Sequence, residues 1–364
     1  MQHDIVHYIA ASPKTASEAE FNRLALLLFE YQHTHNAPYR KFCLSKKIAP
    51  GDVKHWHEIP ALPVLAFKWA QITCRPKETP ARIFYSSGTS RQERSQHCLF
   101  DLVTARAAIL AHFKRHLLPD HDQMRMMMLT PPPEEAPNAS LSYMMSVLRE
   151  LFGTKKSRYY IQDERLQHAR LVKDLASANE AVMLLGTSFS FVHFIDYCEK
   201  EGVHLNLPAG SRLMDTGGFK GKSREVPQAW IYEMAERHWG ILPEYCINEY
   251  GMSELSSQFY DGIAGVPAPR VYVAPPQLKT RVLSPETLAP LPDGEAGLLA
   301  HTDLANIDSV VSILTEDLGR KIAGGFLLSG RASDAEQKGC SITMDALLEK
   351  QTLIANPDTI QETN

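Results

Sequence analysis

Between residues 124 and 250 the sequence alternates short apolar runs with longer stretches of helical periodicity, and few architectures accommodate that alternation. The runs at 124–130, 181–186, 211–214 and 245–247 have the length and continuity of buried strands. Helical spacing fills 140–152, 164–176, 188–201 and 225–239. Strands that alternate with helices return in one direction. The pattern therefore predicts an α/β domain with mixed, substantially parallel sheets flanked by helices. Met126, Met127 and Met128 sit inside the first run and are assigned to the core.

Outside this region the signals are more local. Ser17, three residues before Glu20, has the spacing of a capping box, and Phe21, Leu24, Leu27, Leu28 and Tyr31 recur at helical spacing. An amphipathic helix is expected to run to about Tyr31. Residues 50–66 are broken by Pro50, Gly51, Pro60 and Pro63, and Asp101 is placed to cap a helix with Leu102, Ala105, Ile109, Leu110 and Phe113 on its apolar face. Prolines between 267 and 292 mark a change of texture, with shorter strands and turns expected up to about 340. Three consecutive parts follow: a helical 1–80, an α/β core over 81–300, and a β-rich subdomain with a short tail over 301–364.

A net charge of -4 argues against an electrostatic nucleic-acid binder, and no apolar run approaches the length of a membrane span. The start, Met1-Gln2-His3-Asp4, lacks a secretion signal. Six cysteines stand without a CxxC pair, which fits reduced thiols in a cytoplasmic enzyme and gives no reason to expect zinc.

Several segments could carry chemistry. Ile83, Phe84 and Tyr85 run into Ser86, Ser87, Gly88, Thr89 and Ser90. Gly88 permits close backbone approach, and the hydroxyls add donors to backbone N–H groups, a concave set that suits phosphate oxygens. Arg91 and Arg94 add charge; a polar surface turn has the same composition. Next, Asn248, Glu249, Tyr250, Gly251, Met252, Ser253 and Glu254 follow a strand. A carboxylate there can hold Mg2+ against a nucleotide phosphate while the aromatic faces a base, although a capped turn entering a helix reads the same way.

Gly221, Lys222 and Ser223 suggest a P-loop, but Thr216 stands where its first glycine is required and Pro227 where its helix should run. The pair Gly217 and Gly218 better suits a chain passing flat against a ligand ring. Gly186, Thr187 and Ser188 begin a nucleophile elbow that Ser190 fails to complete, leaving a serine hydrolase as an alternative. Asp317, in Thr315-Glu316-Asp317-Leu318-Gly319, could accept both hydroxyls of a ribose, and Arg331 could contact phosphate; both residue types are also common in turns. Histidines such as His33, His35, His55, His57, His193, His204 and His301 form no HExxH pair, and read as surface or satisfied interior residues.

The order of these segments carries more than any one of them. An SSGT loop, a Gly-Gly pair, Tyr250-Gly251 with Ser253 and Glu254, a PDGExG turn over 292–297, Asp317 and Arg331 occur in sequence. The series resembles the adenylate-forming acyl and aryl acid ligases and, within them, the acyl-protein synthetase (LuxE) family, named for the synthetase subunit of bacterial bioluminescence fatty-acid reductase. Phe21-Asn22-Arg23-Leu24-Ala25, Glu58-Ile59-Pro60-Ala61-Leu62-Pro63 and Asp303-Leu304-Ala305-Asn306 extend the resemblance over nearly the whole chain.

The resemblance implies ATP and Mg2+ as cofactors, a carboxylic, fatty acid as substrate, and an acyl-reductase-like protein as partner. It implies that Ser86, Ser87, Gly88, Thr89 and Ser90 wrap the ATP phosphates, that Gly217 and Gly218 lie beside the adenine, and that Tyr250 and Gly251 border base and acyl group. Ser253 would contact phosphate, Glu254 would bind Mg2+, and Asp317 with Arg331 would hold the ribose. Ser253 stands where threonine is usual, and after Ser90, where the phosphate loop usually has a glycine and later a lysine, stand Arg91, Gln92, Glu93 and Arg94. Too few residues follow Cys340 for the usual mobile lid, so that domain is expected to be absent or vestigial. Family members pass the acyl group to a cysteine near their own C-terminus. Cys340, with Lys338 and Arg331 near it in sequence, is the candidate acceptor thiol. A coenzyme A ligase of the phenylacetate type and a non-catalytic binding subunit of a reductase complex are the rival readings.

Overall fold

The structure, a computed structural model, describes residues 1–10, 16–86, 94–217 and 224–332. The chain divides into two compact units: one joins Met1–Leu102 to the chain from Pro276 onward, and the other is Val103–Pro275. This differs from the three consecutive segments read from the sequence. In the first unit the two ends of the chain are joined by buried bonds. Gln32 Nε2 donates to the carbonyls of Asn306 (2.7 Å) and Ile307 (3.2 Å), while its Oε1 accepts from the Val311 N–H (2.7 Å).

The first unit begins with helices α1 (Gln2–Ala10), α2 (Glu18–His35) and α3 (Ala37–Ser45), then β1 (Leu62–Pro63), α4 (Ala66–Trp69) and the antiparallel pair β2 (Arg82–Tyr85) and β3 (Gln96–Leu99). Ser17 caps α2 by accepting from the Glu20 N–H at 3.0 Å, while the Glu20 carboxylate takes the Arg23 guanidinium. The helix runs one turn past Tyr31 and buries Phe21, Leu24, Leu28 and Phe29, leaving Leu27 exposed.

The second unit contains α5 (Leu102–Leu117, its first residue on the boundary), β4 (Arg125–Leu129), α6 (Ser140–Phe152), β5 (Arg158–Tyr159), β6 (Ile161–Gln162), β7 (Arg165–Leu166) and α7 (His168–Ala176). It continues with β8 (Val182–Thr187), α8 (Ser188–Glu201), β9 (Arg212–Thr216), α9 (Gln228–Trp239), β10 (Cys246–Tyr250) and β11 (Phe259–Tyr260). Its main sheet has the order β11-β10-β9-β8-β4-β5, parallel throughout except for β11. Each expected strand and helix of this region is present, and all three methionines of 126–128 are fully buried. Met127, Leu184, Leu213 and Cys246 share one face in register and pack with Phe191, Phe194 and Trp239 from the helices.

The first unit resumes with β12 (Leu278–Leu283), β13 (Ala296–Asp303), β14 (Ser312–Ile322) and β15 (Gly325–Arg331), in the order β1-β14-β13-β12 with β15 against β14. The short strands and turns expected here are instead long antiparallel strands, β14 having 11 residues. Asp317 and Arg331 are directly opposed strand residues, not turn residues. The last glycine of the PDGExG turn has a packing role: a Cβ on Gly297 would run into the Leu283 carbonyl and come within 2.6 Å of Leu291 Cδ1. Backbone cannot yield as a flexible side chain can. Gly297→Ala is therefore expected to cost about 2 kcal/mol in urea unfolding, while Gly51→Ala changes stability by less than about 0.5 kcal/mol; at Gly51 a Cβ meets nothing within 4 Å.

Candidate active site

In a parallel sheet the carboxyl ends of the strands are where a ligand meets loops, helix N-termini and strand-end side chains together. In the second unit the ends of β8, β9 and β10 carry a dense polar group. The register sets Gly186, Asp215 and Asn248 side by side, and Thr187, Thr216 and Glu249 one residue further on. Because strand side chains alternate, these rows face opposite sides of the sheet.

Asp215 is the centre of the first row. Its side chain is buried and accepts from Ser188 Oγ (2.9 Å, Oδ2), Asn248 Nδ2 (2.9 Å, Oδ2) and Tyr232 OH (2.9 Å, Oδ1). Burial raises its pKa, and these three hydrogen bonds oppose the shift. Asn248 continues outward: its N–H donates to Asp261 Oδ1 (2.7 Å), and its Oδ1 accepts from Tyr272 OH (2.5 Å). Burial pushes Asp261 up to about 6 despite the Arg270 guanidinium at 3.4 Å.

In the second row Thr216 Oγ1 donates to Glu249 Oε2. Glu249 is fully enclosed; burial pushes its carboxyl up to about 7, with the Thr216 bond opposing and the Asp215 charge adding. Its Oε1, the end of a flexible side chain, would crowd a Cβ at residue 251, and Gly251 leaves that space to the carboxyl. Tyr250 is buried on the opposite side, its ring 5.6 Å from Phe259 and 5.7 Å from Tyr272. Asn248, Glu249 and Tyr250 belong to β10 itself, while Ser253 and the buried Glu254 lie in the turn beyond it. Gly217 follows β9 at φ 70 with open space where a Cβ would be. Gly218 lies outside the described residues, as do Gly221, Lys222 and Ser223.

Ser188 stands at a strand-to-helix junction, as a nucleophile elbow requires. Its residue is only 4% exposed, however, and its Oγ lies 2.9 Å from both Asp215 Oδ2 and the Gly217 carbonyl. Its one proton is shared between a carboxylate and a carbonyl, neither of them the imidazole that activates a hydrolase serine.

In the first unit, Ser86 clasps the mouth of the hydroxyl-rich loop. Its N–H donates to the Ser95 carbonyl (3.1 Å) and its Oγ accepts from the Ser95 N–H (3.0 Å). Ser87, Gly88, Thr89 and Ser90 lie outside the described residues. Asp317 is 13% exposed on the side chain and accepts from Arg331 Nε at 3.3 Å, while Arg331 is 71% exposed. Cys43, Cys74, Cys98, Cys198 and Cys246 are all buried, and burial raises each thiol above its ordinary pKa. Cys340 lies outside the described residues.

Among the described residues no group of three or more His, Cys, Asp or Glu could hold a metal by itself. Magnesium, which typically uses one or two carboxylates plus substrate phosphates, is compatible with Glu254 in the turn after β10. No helix among the described residues is long and apolar enough to cross a membrane.

The sequence names Thr216 only as a missing P-loop glycine and Asn248 and Glu249 only as part of a strand-end segment, and Asp215 carries no local signal of its own. Their position at strand ends was the available signal. Nothing local points to Tyr232 or Tyr272, which reach Asp215 and Asn248 from 17 and 24 residues away in sequence, or to Arg270, which meets Asp261 nine residues away.

The Glu249 shift gives a pH signature. A carboxyl whose folded pKa lies above its unfolded value favours the folded state most below the unfolded value, here 4.5, and that contribution is lost as pH rises to about 7. Urea unfolding should therefore show wild type losing up to about 3 kcal/mol relative to Glu249→Gln between pH 4 and 8. A stability difference that stays flat over this range would show that Glu249 does not titrate with a raised pKa.

The model of the acyl-protein synthetase family, LuxE, matches residues 8–349. The long-chain-fatty-acid–luciferin-component ligase of Aliivibrio fischeri is 24% identical over 352 residues, covering 90% of this chain and 89% of the relative. The ligase of the same name from Vibrio harveyi is 23% identical over 345 residues, covering 89% and 86%. Among solved structures, 2-hydroxyisobutyryl-CoA ligase is similar in two states. The postadenylation complex with R3-HIB-AMP gives a TM-score of 0.67 at 14% identity over 90% of this chain and 73% of that one. The open complex with 2-HIB-AMP and CoA gives 0.66 at 16% identity over 87% and 70%. At these identities the structural likeness is one of fold.

Proposed function

The chain belongs to the acyl-protein synthetase (LuxE) family and is an acid-activating ligase, and from that premise we propose that it adenylates a fatty acid and then passes the acyl group to a protein thiol. The observation that supports this reading is the strand-end region of the second unit, where Gly217 follows β9, Tyr250 ends the neighbouring β10, and Ser253 and Glu254 lie in the turn beyond it. In the first step a carboxylate oxygen bonds to the α-phosphorus of ATP, the bond to the β-phosphate oxygen breaks, and pyrophosphate leaves. Tyr250 and Gly217 border the adenine, and Ser253 donates to a phosphate oxygen. Glu254 is the carboxylate that would hold Mg2+, whose contribution when bound is to neutralise phosphate charge.

Motif order, rather than geometry, supplies the remaining assignments. Ser86, Ser87, Gly88, Thr89 and Ser90 give hydroxyl and N–H donors to the phosphates. Asp317 accepts from the ribose hydroxyls, with Arg331 holding its carboxylate in place. In the second step a thiolate attacks the acyl carbon and AMP leaves. The described cysteines are poor nucleophiles, since burial disfavours their thiolates. That supports Cys340 as acceptor, with an acyl-reductase-like protein receiving the product.

Acid-dependent pyrophosphate exchange tests the first step across a panel of fatty acids of different chain length. Exchange is expected with at least one, and none with any acid removes the reading. Asp317→Asn is expected to raise the KM for ATP roughly tenfold. Mass spectrometry after incubation with ATP and the active acid tests the second step. Cys340→Ser should retain exchange and lose the thioester-linked acyl group; a variant that still loads coenzyme A at the full rate would instead identify a coenzyme A ligase.

A further inference from the structure

The buried polar group around Asp215 exceeds what a strand end requires for folding. A carboxylate fully enclosed in the protein is costly, and it is tolerated when donors are fixed around it. Each of its three side-chain donors comes from a different element: Ser188 opens α8, Tyr232 belongs to α9, and Asn248 belongs to β10.

The contacts close into a ring. Asp215 joins Tyr232, whose ring lies 4.9 Å from the Arg270 guanidinium. Arg270 lies 3.4 Å from Asp261, and Asp261 accepts from the Asn248 N–H at 2.7 Å. Asn248 then returns to Asp215 at 2.9 Å. Arg270 also donates to the carbonyls of Cys246 and Pro243, which ties the ring to the start of β10.

Two spurs leave this ring, and both end on residues assigned above to the nucleotide. Ser188 Oγ reaches the Gly217 carbonyl at 2.9 Å, fixing the left-handed residue that follows β9. Tyr272 donates to Asn248 Oδ1 at 2.5 Å and sets its ring 5.7 Å from that of Tyr250. One carboxylate thereby fixes the relative placement of Gly217 and Tyr250.

We propose that Asp215 is a positioning residue for adenylation, holding Gly217 through Ser188 and Tyr250 through Asn248 and Tyr272 in the arrangement that receives the adenine. The proposal rests on the reading of these strand ends as the nucleotide site. Asp215 itself touches no substrate; its effect is exerted through the two spurs. Its loss should therefore weaken the use of ATP more than the use of the acid.

The test is pyrophosphate exchange by the full chain, with the KM for ATP, the KM for the acid and kcat measured separately. Asp215→Asn presents an amide N–H to donors that need an acceptor, and a fall in kcat/KM for ATP on the order of 100-fold is expected. Ser188→Ala and Tyr272→Phe each remove one spur's hydrogen bond and leave the carboxylate in place. Each is expected to raise the KM for ATP roughly threefold to tenfold with the KM for the acid unchanged. Simple loss of folded protein lowers apparent kcat and leaves KM alone, so it does not mimic this split. If Asp215→Asn fails to fold, the two spur variants decide. Exchange by the wild type with an unchanged KM for ATP in both spur variants overturns the positioning role alone. No exchange by the wild type with any acid removes that role together with the nucleotide reading.

Discussion

The parallel register of β9 and β10 is the constraint on which the site depends. It pairs Asp215 with Asn248 and Thr216 with Glu249, so that two acidic side chains arrive at neighbouring strand ends. The pleat then sends them to opposite faces, where each meets a different set of partners. A slip of one residue would exchange the faces of one strand and part the carboxyls from the partners they now meet. The apolar packing of Leu213 and Cys246 with side chains of α8 and α9 holds that register, because the same slip would carry one of these residues to the other face of the sheet.

The two carboxyls are handled differently. Asp215 is surrounded by hydroxyl and amide donors, which favour its charged form against the cost of burial. Glu249 has the Thr216 hydroxyl as its side-chain donor and lies within reach of the Asp215 charge, so its proton is held to higher pH. The protein thus keeps one carboxyl suited to organising donors and another whose ionisation is opposed, within two adjacent strands. Gly251 belongs to this arrangement through the space it leaves for Glu249, and Gly297 in the other unit serves strand packing. Both glycines belong to motifs that mark a ligand site, yet each is explained by a neighbouring protein atom.

The α/β core was largely legible because its signals are local. Helices over Ser140–Phe152 and Ser188–Glu201 coincide with the apolar periodicity, and the strand runs fall within a residue or two of their expected bounds except β10, which ends three residues later than expected. The C-terminal strands were less legible. Ser312–Ile322 mixes charged and glycine residues into a long strand whose pairing partners supply the order. The division into units was not legible at all, since Gln32 and Val311 meet only through contacts nearly 280 residues apart in sequence.

By itself the sequence determined the alternation of strand and helix, the burial of the methionine run, and the order of motifs that marks the family. These follow from periodicity and residue type, which act over a few residues. Only the tertiary structure decided that Asp317 and Arg331 are a cross-strand pair, that the Ser188 hydroxyl donates to Asp215 and the Gly217 carbonyl, that Tyr232 and Arg270 complete the Asp215 ring, and that Tyr272 joins it from outside. Hydrogen bonds and ring contacts depend on distances of a few ångströms between side chains far apart in the chain, and those distances exist only once the sheet and its helices have packed.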